Sequence, residues 1–169
     1  MVKSRLIIIT ALTFAFIGSA VVTFGESSAP PLEMHRYNYN GWTKGLFSEA
    51  VTVTGFGSGK LIYLGGIGAE EEKGKPGDIR SPKNFNGQCK YTFEKIVRVL
   101  GYNGATLNDI TKMTSYLTSA KNIGSYIACR NAAFKAANAR LPAETLLIIS
   151  RLAWPPMMLE VDVDALTAK

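Results

Sequence analysis

Two carboxylates in the C-terminal part of the chain have the residue type and setting to carry chemistry. Glu144 stands between the turn Leu141-Pro-Ala143 and an apolar run that continues to Leu152, and Asp162 lies in the run Val161-Asp-Val-Asp-Ala-Leu166. Two acids in one apolar cleft can recognise a cationic or amine-bearing ligand, or act as an acid/base pair, because close carboxylates push their pKa values apart. The structural alternative is that Glu144 points to solvent or pairs with a neighbouring lysine or arginine across an interface between subunits, and that Asp162 is inert.

The other reactive residue types do not predict a metal site or an activated nucleophile. Cys89 and Cys129 have no CxxC partner, and His35 is the single histidine of the sequence. Neither a zinc cluster nor a Ser-His or Cys-His catalytic pair can be built plausibly from them, so these residues predict no metal site. Both cysteines fit buried helical positions, and an oxidising compartment would permit a disulfide between them without requiring one.

The positive charge of the chain does not predict nucleic-acid binding. The formal net charge is +6, and no basic run is present. A scattered excess of this size is typical of a solvated surface, and neither nucleic-acid binding nor ribonuclease activity is supported without a basic stripe or a histidine pair. The scattered cations include Lys44, Lys60, Lys73, Lys83, Lys95, Arg98, Lys121 and Arg140.

The first 25 residues differ in composition from the rest. Lys3 and Arg5 precede an uncharged apolar stretch, residues 6–24, which is typical of a signal peptide or a membrane anchor, and cleavage is favoured. In either case the following domain crosses the membrane. We therefore expect an exported protein, periplasmic or secreted, that meets a membrane only through an uncleaved N-terminus. Residues 26–45 form a linker and N-terminal extension, and residues 46–169 form one globular domain.

Alternating and helical patterns divide that domain in the order β-β-α-β-α-β-β. The expected elements are a hairpin of strands 47–54 and 60–67, a helix 84–101, a strand 110–118, an alanine-rich helix 122–139, and strands 145–151 and 158–166. This order predicts an α+β fold with both helices on one face of a mixed sheet, and the alanines suggest close packing on that sheet. Exposed apolar positions on the other face predict assembly with further copies of the chain.

Six short motifs follow one another from residue 46 to the C-terminus. They are Phe47-Ser-Glu-Ala-Val51, Leu64-Gly-Gly-Ile67, Asn108-Asp-Ile-Thr-Lys-Met-Thr114, Leu141-Pro-Ala143, Ile149-Ser-Arg-Leu152 and Val161-Asp-Val-Asp-Ala-Leu166. In this order they resemble the motifs of the reactive intermediate deaminase superfamily, the Rid or YjgF-like proteins formerly called endoribonuclease L-PSP. The resemblance implies the chorismate-mutase-like YjgF fold and a homotrimer with a small-molecule pocket in each cleft between subunits.

The resemblance also implies an activity. The deaminases of this family hydrolyse enamines and imines such as 2-iminobutanoate to 2-oxo acids and ammonia without a metal or organic cofactor. An arginine after their Pro-Ala turn binds the substrate carboxylate, and a glutamate in the final strand is proposed to hold the water. In this chain the arginine position is Glu144 and the glutamate position is Asp162.

The other site positions of the family are mostly apolar here. Phe47, Leu64 and Ile127 stand where the deaminases have a tyrosine, a serine and an asparagine, and Thr145 and Leu146 are further substrate-binding candidates. Glu144 reverses the charge that faces a substrate carboxylate, so the resemblance predicts poor binding of 2-imino acids unless another cation compensates. The candidates for that cation are Arg130, Arg140 and Arg151.

Two functions remain open at the level of sequence. The first is an enamine or imine deaminase-type hydrolase with altered specificity that uses Asp162 and Glu144. The second is a non-catalytic ligand-binding or protein-protecting module of the same fold.

Overall fold

The computed structural model describes residues 30–37, 50–55, 57 and 59–168, which form six strands and two α-helices. The elements are β1 (Glu33–Tyr37), β2 (Ala50–Thr54), β3 (Lys60–Gly68), α1 (Phe85–Tyr102), β4 (Ile110–Leu117), α2 (Ile123–Ala136), β5 (Ala143–Ile148) and β6 (Leu159–Thr167). The α+β class with two helices and a mixed sheet is confirmed. β1 is an additional strand in the segment that the sequence assigns to the linker.

The main sheet has four strands in the order β3-β6-β4-β5. β6 is antiparallel to both of its neighbours, whereas β4 and β5 run parallel. The predicted hairpin is wrong in its pairing, because β2 pairs with β1 in a separate two-stranded sheet and β3 pairs with β6. Alternation identifies a strand but not its partner.

The helices supply one side of the hydrophobic core. Asn84 caps α1 by accepting a hydrogen bond from the Gly87 N–H. Of the apolar residues at helical spacing, Cys89, Phe93, Ile96 and Leu100 are buried as the pattern predicts, whereas Val97 is 48% exposed. The core side chains of α1 are Phe85, Cys89, Phe93, Ile96 and Leu100, and those of the sheet include Ile62, Leu64, Ile110, Met113, Leu117, Leu159, Val161 and Val163. Burial of each large apolar side chain stabilises the fold by roughly 1.5–3 kcal/mol.

A disulfide joins the two helices. Cys89 of α1 and Cys129 of α2 are bonded, with their Cα atoms 6.5 Å apart. The sequence permitted this pairing without requiring it.

The alanines of α2 pack on the core only in part, because Ala133 contacts it whereas three others do not. Ala128, Ala132 and Ala136 are exposed and line an open groove of about 930 Å³ between α1 and α2, on the outer side of the helices. The buried stripe of α2 consists instead of Tyr126, Arg130 and Phe134, at intervals of four residues. The helix therefore meets the core mainly with large side chains, and most of its alanines face away from it.

The acidic triplet in the loop between β3 and α1 is paired with cations. Glu70 contacts Lys95 at 3.2 Å, Glu71 contacts Arg80 at 2.8 Å, and Glu72 contacts Arg98 at 2.7 Å. The Arg80 guanidinium also stacks over the Tyr91 ring, 3.9 Å from its centre. These contacts fasten the loop to α1, so the triplet is neither free in solvent nor a metal site.

The predicted N-terminal signal or anchor, residues 1–25, lies outside the described residues. Neither α1 nor α2, the α-helices of the described part of the chain, has the length and apolar character needed to cross a bilayer.

Candidate functional site

The side chains of the main sheet alternate between a face that packs under the helices and an opposite face, here called the open face. Thr114 of β4 lies directly across from Asp162 of β6, while their buried neighbours Met113 and Val163 point into the core. Glu160, Asp162 and Asp164 therefore share the open face, because side chains two residues apart on a strand point the same way. Leu61, Tyr63 and Leu147 are large, exposed apolar side chains on this face.

Asp162 is held on the open face by two donors from neighbouring strands. One carboxylate oxygen accepts a hydrogen bond from the Gly66 main-chain N–H at 2.8 Å, and the other accepts one from the Tyr116 hydroxyl at 2.9 Å. The Gly66 N–H is available because a β-bulge shifts the register between Leu64 and Ile67. The bond to Asp162 also raises the pKa of Tyr116, since the ionised carboxylate favours the protonated phenol.

Glu160 adds a second carboxylate beside Asp162. It lies across from Tyr116 in the β4–β6 pair, and its pKa is raised, first by partial burial and then by the negative charges of Glu70 and Asp162. The bulge brings the main chain so close that a Cβ atom on Gly66 would lie 2.8 Å from the Glu160 carboxyl group. The open face thus presents one well-bonded carboxylate and one that protonates more easily than an ordinary glutamate.

Glu144 lies on the opposite, helix-covered face. It is in register with the core residue Met113 of β4, and its side chain is 4% exposed. The carboxylate forms a salt bridge with Arg130 of α2 and accepts hydrogen bonds from the hydroxyls of Tyr126 and, at 2.9 Å, Ser115. Burial and the charge of Glu144 raise the pKa of Tyr126 well above its ordinary value.

The structure therefore does not bring the two predicted catalytic acids together within one protomer. Glu144 and Asp162 lie on opposite faces of the sheet, and the acid next to Asp162 is Glu160. Of the cations named from the sequence, Arg130 is the one that meets Glu144.

The apolar candidates among the described residues lie on the core side. Leu64 belongs to the core, and Ile127 and Leu146 pack against it. Thr145 is on the open face, where its hydroxyl accepts a hydrogen bond from the Lys112 ammonium group. Phe47 lies outside the described residues.

The sequence and the fold both resemble those of known proteins. The sequence model of the endoribonuclease L-PSP family matches residues 43–167. The chain belongs to the endoribonuclease L-PSP family. Comparison with curated proteins gives no match.

Several solved structures share the fold. YyfB from Yersinia pestis, described as a protein of unknown function of the Rid family, is 23% identical, with a TM-score of 0.65 over 78% of this chain and 97% of that one. TdcF from E. coli, solved with bound serine, is 20% identical, with a TM-score of 0.57 over 73% and 89% of the two chains. The YjgF gene product from E. coli is also 20% identical, with a TM-score of 0.55 over 64% and 84%.

Arg130 was one of the cations named from the sequence, and its spacing of four residues from both Tyr126 and Phe134 places it on the buried stripe of α2, where a charged side chain needs a partner. Two residues beside Asp162 were missed in the sequence, although one of them carries a signal there. Glu160 alternates with Asp162 along one strand, which places both on one face. No local pattern marks Tyr116 as a donor to Asp162.

The raised pKa of Glu160 predicts that the stability of the folded protein depends on pH. At pH values above its folded-state pKa, the ionised carboxylate destabilises the folded protein, and the penalty disappears below about pH 4, where folded and unfolded chains are both protonated. Glu160→Gln is therefore expected to raise the thermal midpoint at pH 7 and to change it little at pH 4. Glu94→Gln, at an exposed acid of α1, is the matched control. An equal gain at both pH values would contradict the assignment.

Proposed function

We propose that this chain is an exported hydrolase of the enamine and imine deaminase type that works on the open face of its sheet without a cofactor. Family membership supports a deaminase-like or small-molecule-binding role. The observation that carries the catalytic proposal is the geometry of Asp162, an acid at the position of the family's water-holding glutamate, held by Gly66 and Tyr116. Its two oxygens each accept one hydrogen bond there and retain a lone pair for a water molecule.

In the proposed reaction, Asp162 transfers the protons of that water. The water oxygen adds to the imine carbon, and Asp162 passes the released proton to the nitrogen. Collapse of the resulting carbinolamine forms the C=O bond, and Asp162 passes the second proton to the nitrogen, which leaves as ammonia. Tyr116 keeps the carboxylate oriented by donating to its other oxygen.

The charges around the site favour a substrate without a carboxylate. Glu144 supplies no cation, and Arg130 beside it has a side chain that is 4% exposed and a guanidinium that is bonded to that glutamate. The open face presents three acids, Glu160, Asp162 and Asp164, and one cation, Lys112, which lies across from Asp164 and donates to Thr145. The excess of acids repels anions and favours an amine or a neutral imine. TdcF was solved with bound serine, which carries both an amine and a carboxylate, so this relative does not distinguish between the two kinds of substrate.

We further propose that the site is completed by assembly into a homotrimer. The exposed apolar side chains Leu61, Tyr63 and Leu147 lie on the same face as Asp162, so an apposed copy would bury them and enclose the acid. The proposed partners are therefore other copies of the chain and a small molecule. Nucleic acid is not among them, and a membrane would be met only through residues 1–25.

Export is proposed from the basic and apolar N-terminal pattern together with the disulfide. Disulfides persist in oxidising compartments and are rare in the reducing cytosol, so the Cys89–Cys129 bond supports a periplasmic or secreted location.

The alternative function is a non-catalytic ligand-binding module. Leu64 and Ile127, at positions that are polar in the deaminases, belong to or pack against the core, which leaves Asp162 as the acid retained at its family position. This alternative predicts that the protein releases no ammonia. It also predicts that the protein binds small amines with the same affinity whether residue 162 is aspartate or asparagine.

The test measures ammonia release from freshly generated 2-iminobutanoate and from its uncharged amide. The wild-type protein is expected to hydrolyse the amide faster than the acid, and Asp162→Asn is expected to lower the rate on the amide by about 100-fold, as for loss of an acid/base group. Asp164→Asn removes a charge from the same strand and face without disturbing the bonds to Gly66 and Tyr116, so it should retain activity.

Each outcome of this assay discriminates between the proposals. Faster turnover of the acid than of the amide refutes the charge argument. Equal losses in the two aspartate variants refute a specific role for Asp162. Light scattering of all three proteins shows whether a lost rate reflects lost assembly.

A further inference from the structure

The carboxylate of Glu144 is surrounded by hydrogen-bond donors from two elements of the fold. The Arg130 guanidinium and the Tyr126 hydroxyl reach it from α2, and the Ser115 hydroxyl reaches it from β4 at 2.9 Å. Arginine presents a planar set of N–H groups that matches the plane of a carboxylate, and hydroxyl donors add further charge-assisted bonds. The arrangement has the composition of an anion-binding site.

These donors are buried and are also held by contacts other than Glu144. Tyr126 and Ser115 are fully buried, and the Arg130 side chain is 4% exposed. Asn131 accepts two hydrogen bonds from the Arg130 guanidinium, at 3.1 Å and 2.8 Å, so this group is oriented from a second side. Donors held in this way retain their positions when the group they bind is changed, which is the basis of a preorganised site.

We infer that Arg130, Tyr126 and Ser115 form a carboxylate-binding site whose resident ligand is the Glu144 side chain. Its ligand class is a small monocarboxylate, because Glu144→Ala removes the atoms of one acetate, the Cγ methylene and the carboxyl group. In the wild-type chain the tethered carboxylate fills the site, and external anions are excluded from this guanidinium. The inference is independent of the reaction proposed above, because it is tested through stability and not through turnover.

The experiment compares thermal unfolding in sodium acetate and in sodium chloride at equal ionic strength. Glu144→Ala is expected to lower the midpoint in chloride by about 10 °C, as for the loss of one partner of a buried ion pair. Acetate is expected to raise the midpoint of this variant by several degrees with a saturable concentration dependence, because a ligand that binds the folded state stabilises it. The wild-type protein should show no difference between the two salts.

Three variants make the result specific. Glu144→Ala/Arg130→Met should lose the acetate effect, because the guanidinium is gone. Glu160→Ala, an equivalent truncation at a glutamate whose charged neighbours are acids, should show none. Glu144→Gln should also show none, because its side chain still fills the site.

An acetate effect of equal size in all variants, or no acetate effect in a folded Glu144→Ala protein, overturns the inference. If Glu144→Ala does not fold in chloride, refolding is carried out in each salt. Recovery of folded protein in acetate but not in chloride then supports the site, and equal failure in both salts overturns it.

Discussion

Arg130→Met is expected to lower the free energy of unfolding by about 3–5 kcal/mol, because it leaves the Glu144 carboxylate buried without its cation. Methionine keeps most of the side-chain volume, so the loss reports on charge and hydrogen bonding more than on a cavity. The measurement is urea denaturation at pH 7. A lower urea midpoint with an unchanged dependence of the free energy on urea concentration reports the loss of stability.

An exposed ion pair provides the matched control for this substitution. Arg98 and Glu72 are also in contact, at 2.7 Å, but their side chains are 36% and 41% exposed. Arg98→Met should therefore cost less than about 1 kcal/mol. The double variant Arg130→Met/Glu144→Leu should recover much of the loss, because replacing both partners of a buried pair by apolar groups is often near neutral. Equal costs at Arg130 and Arg98 would contradict the buried-pair assignment.

Reduction of the disulfide is expected to destabilise the protein by about 4 kcal/mol. The bond connects residues separated by 40 positions, and a closed loop of that length removes about this much entropy from the unfolded chain. The measurement is urea denaturation with and without dithiothreitol, with reduction verified by thiol titration.

The double variant Cys89→Ala/Cys129→Ala distinguishes the effect of losing the disulfide from any other effect of dithiothreitol on stability. It should be as unstable as the reduced wild-type protein or somewhat less stable, because Cys89 is fully buried and its truncation also leaves a small void. Its stability should not respond to dithiothreitol. If the wild-type protein also fails to respond, the two thiols are not paired in solution.

The parts of the fold that could be predicted from the sequence are those set by local physics. The N-cap Asn84 and the apolar residues Cys89, Phe93, Ile96 and Leu100 define α1, and the observed helix begins and ends within one residue of the prediction. The β-branched run after Asp109 predicts β4 for the same reason. In each case residues close together in the sequence determine whether the segment forms a helix or a strand.

The parts that could not be predicted depend on which distant residues meet. The pairing of β2 with β1, the disulfide between two helices, and the salt bridge between Arg130 and Glu144 each require knowledge of packing between elements. The family resemblance placed Glu144 beside a substrate anion, but it did not specify on which face of the sheet the side chain lies. The face on which Glu144 lies determines whether its carboxylate contacts a ligand or the guanidinium of Arg130 in the same chain.

The bulge beside Asp162 holds the proposed catalytic carboxylate through the main chain, independently of the side chains around it. The donor that Gly66 provides is part of the main chain, so no exchange of a neighbouring side chain can delete it. A Cβ atom on Gly65 would meet open space, whereas one on Gly66 would collide with Glu160. Position 65 can therefore acquire new side chains, and with them new ligand preferences. The position of Asp162, on which the proposed chemistry depends, would not change.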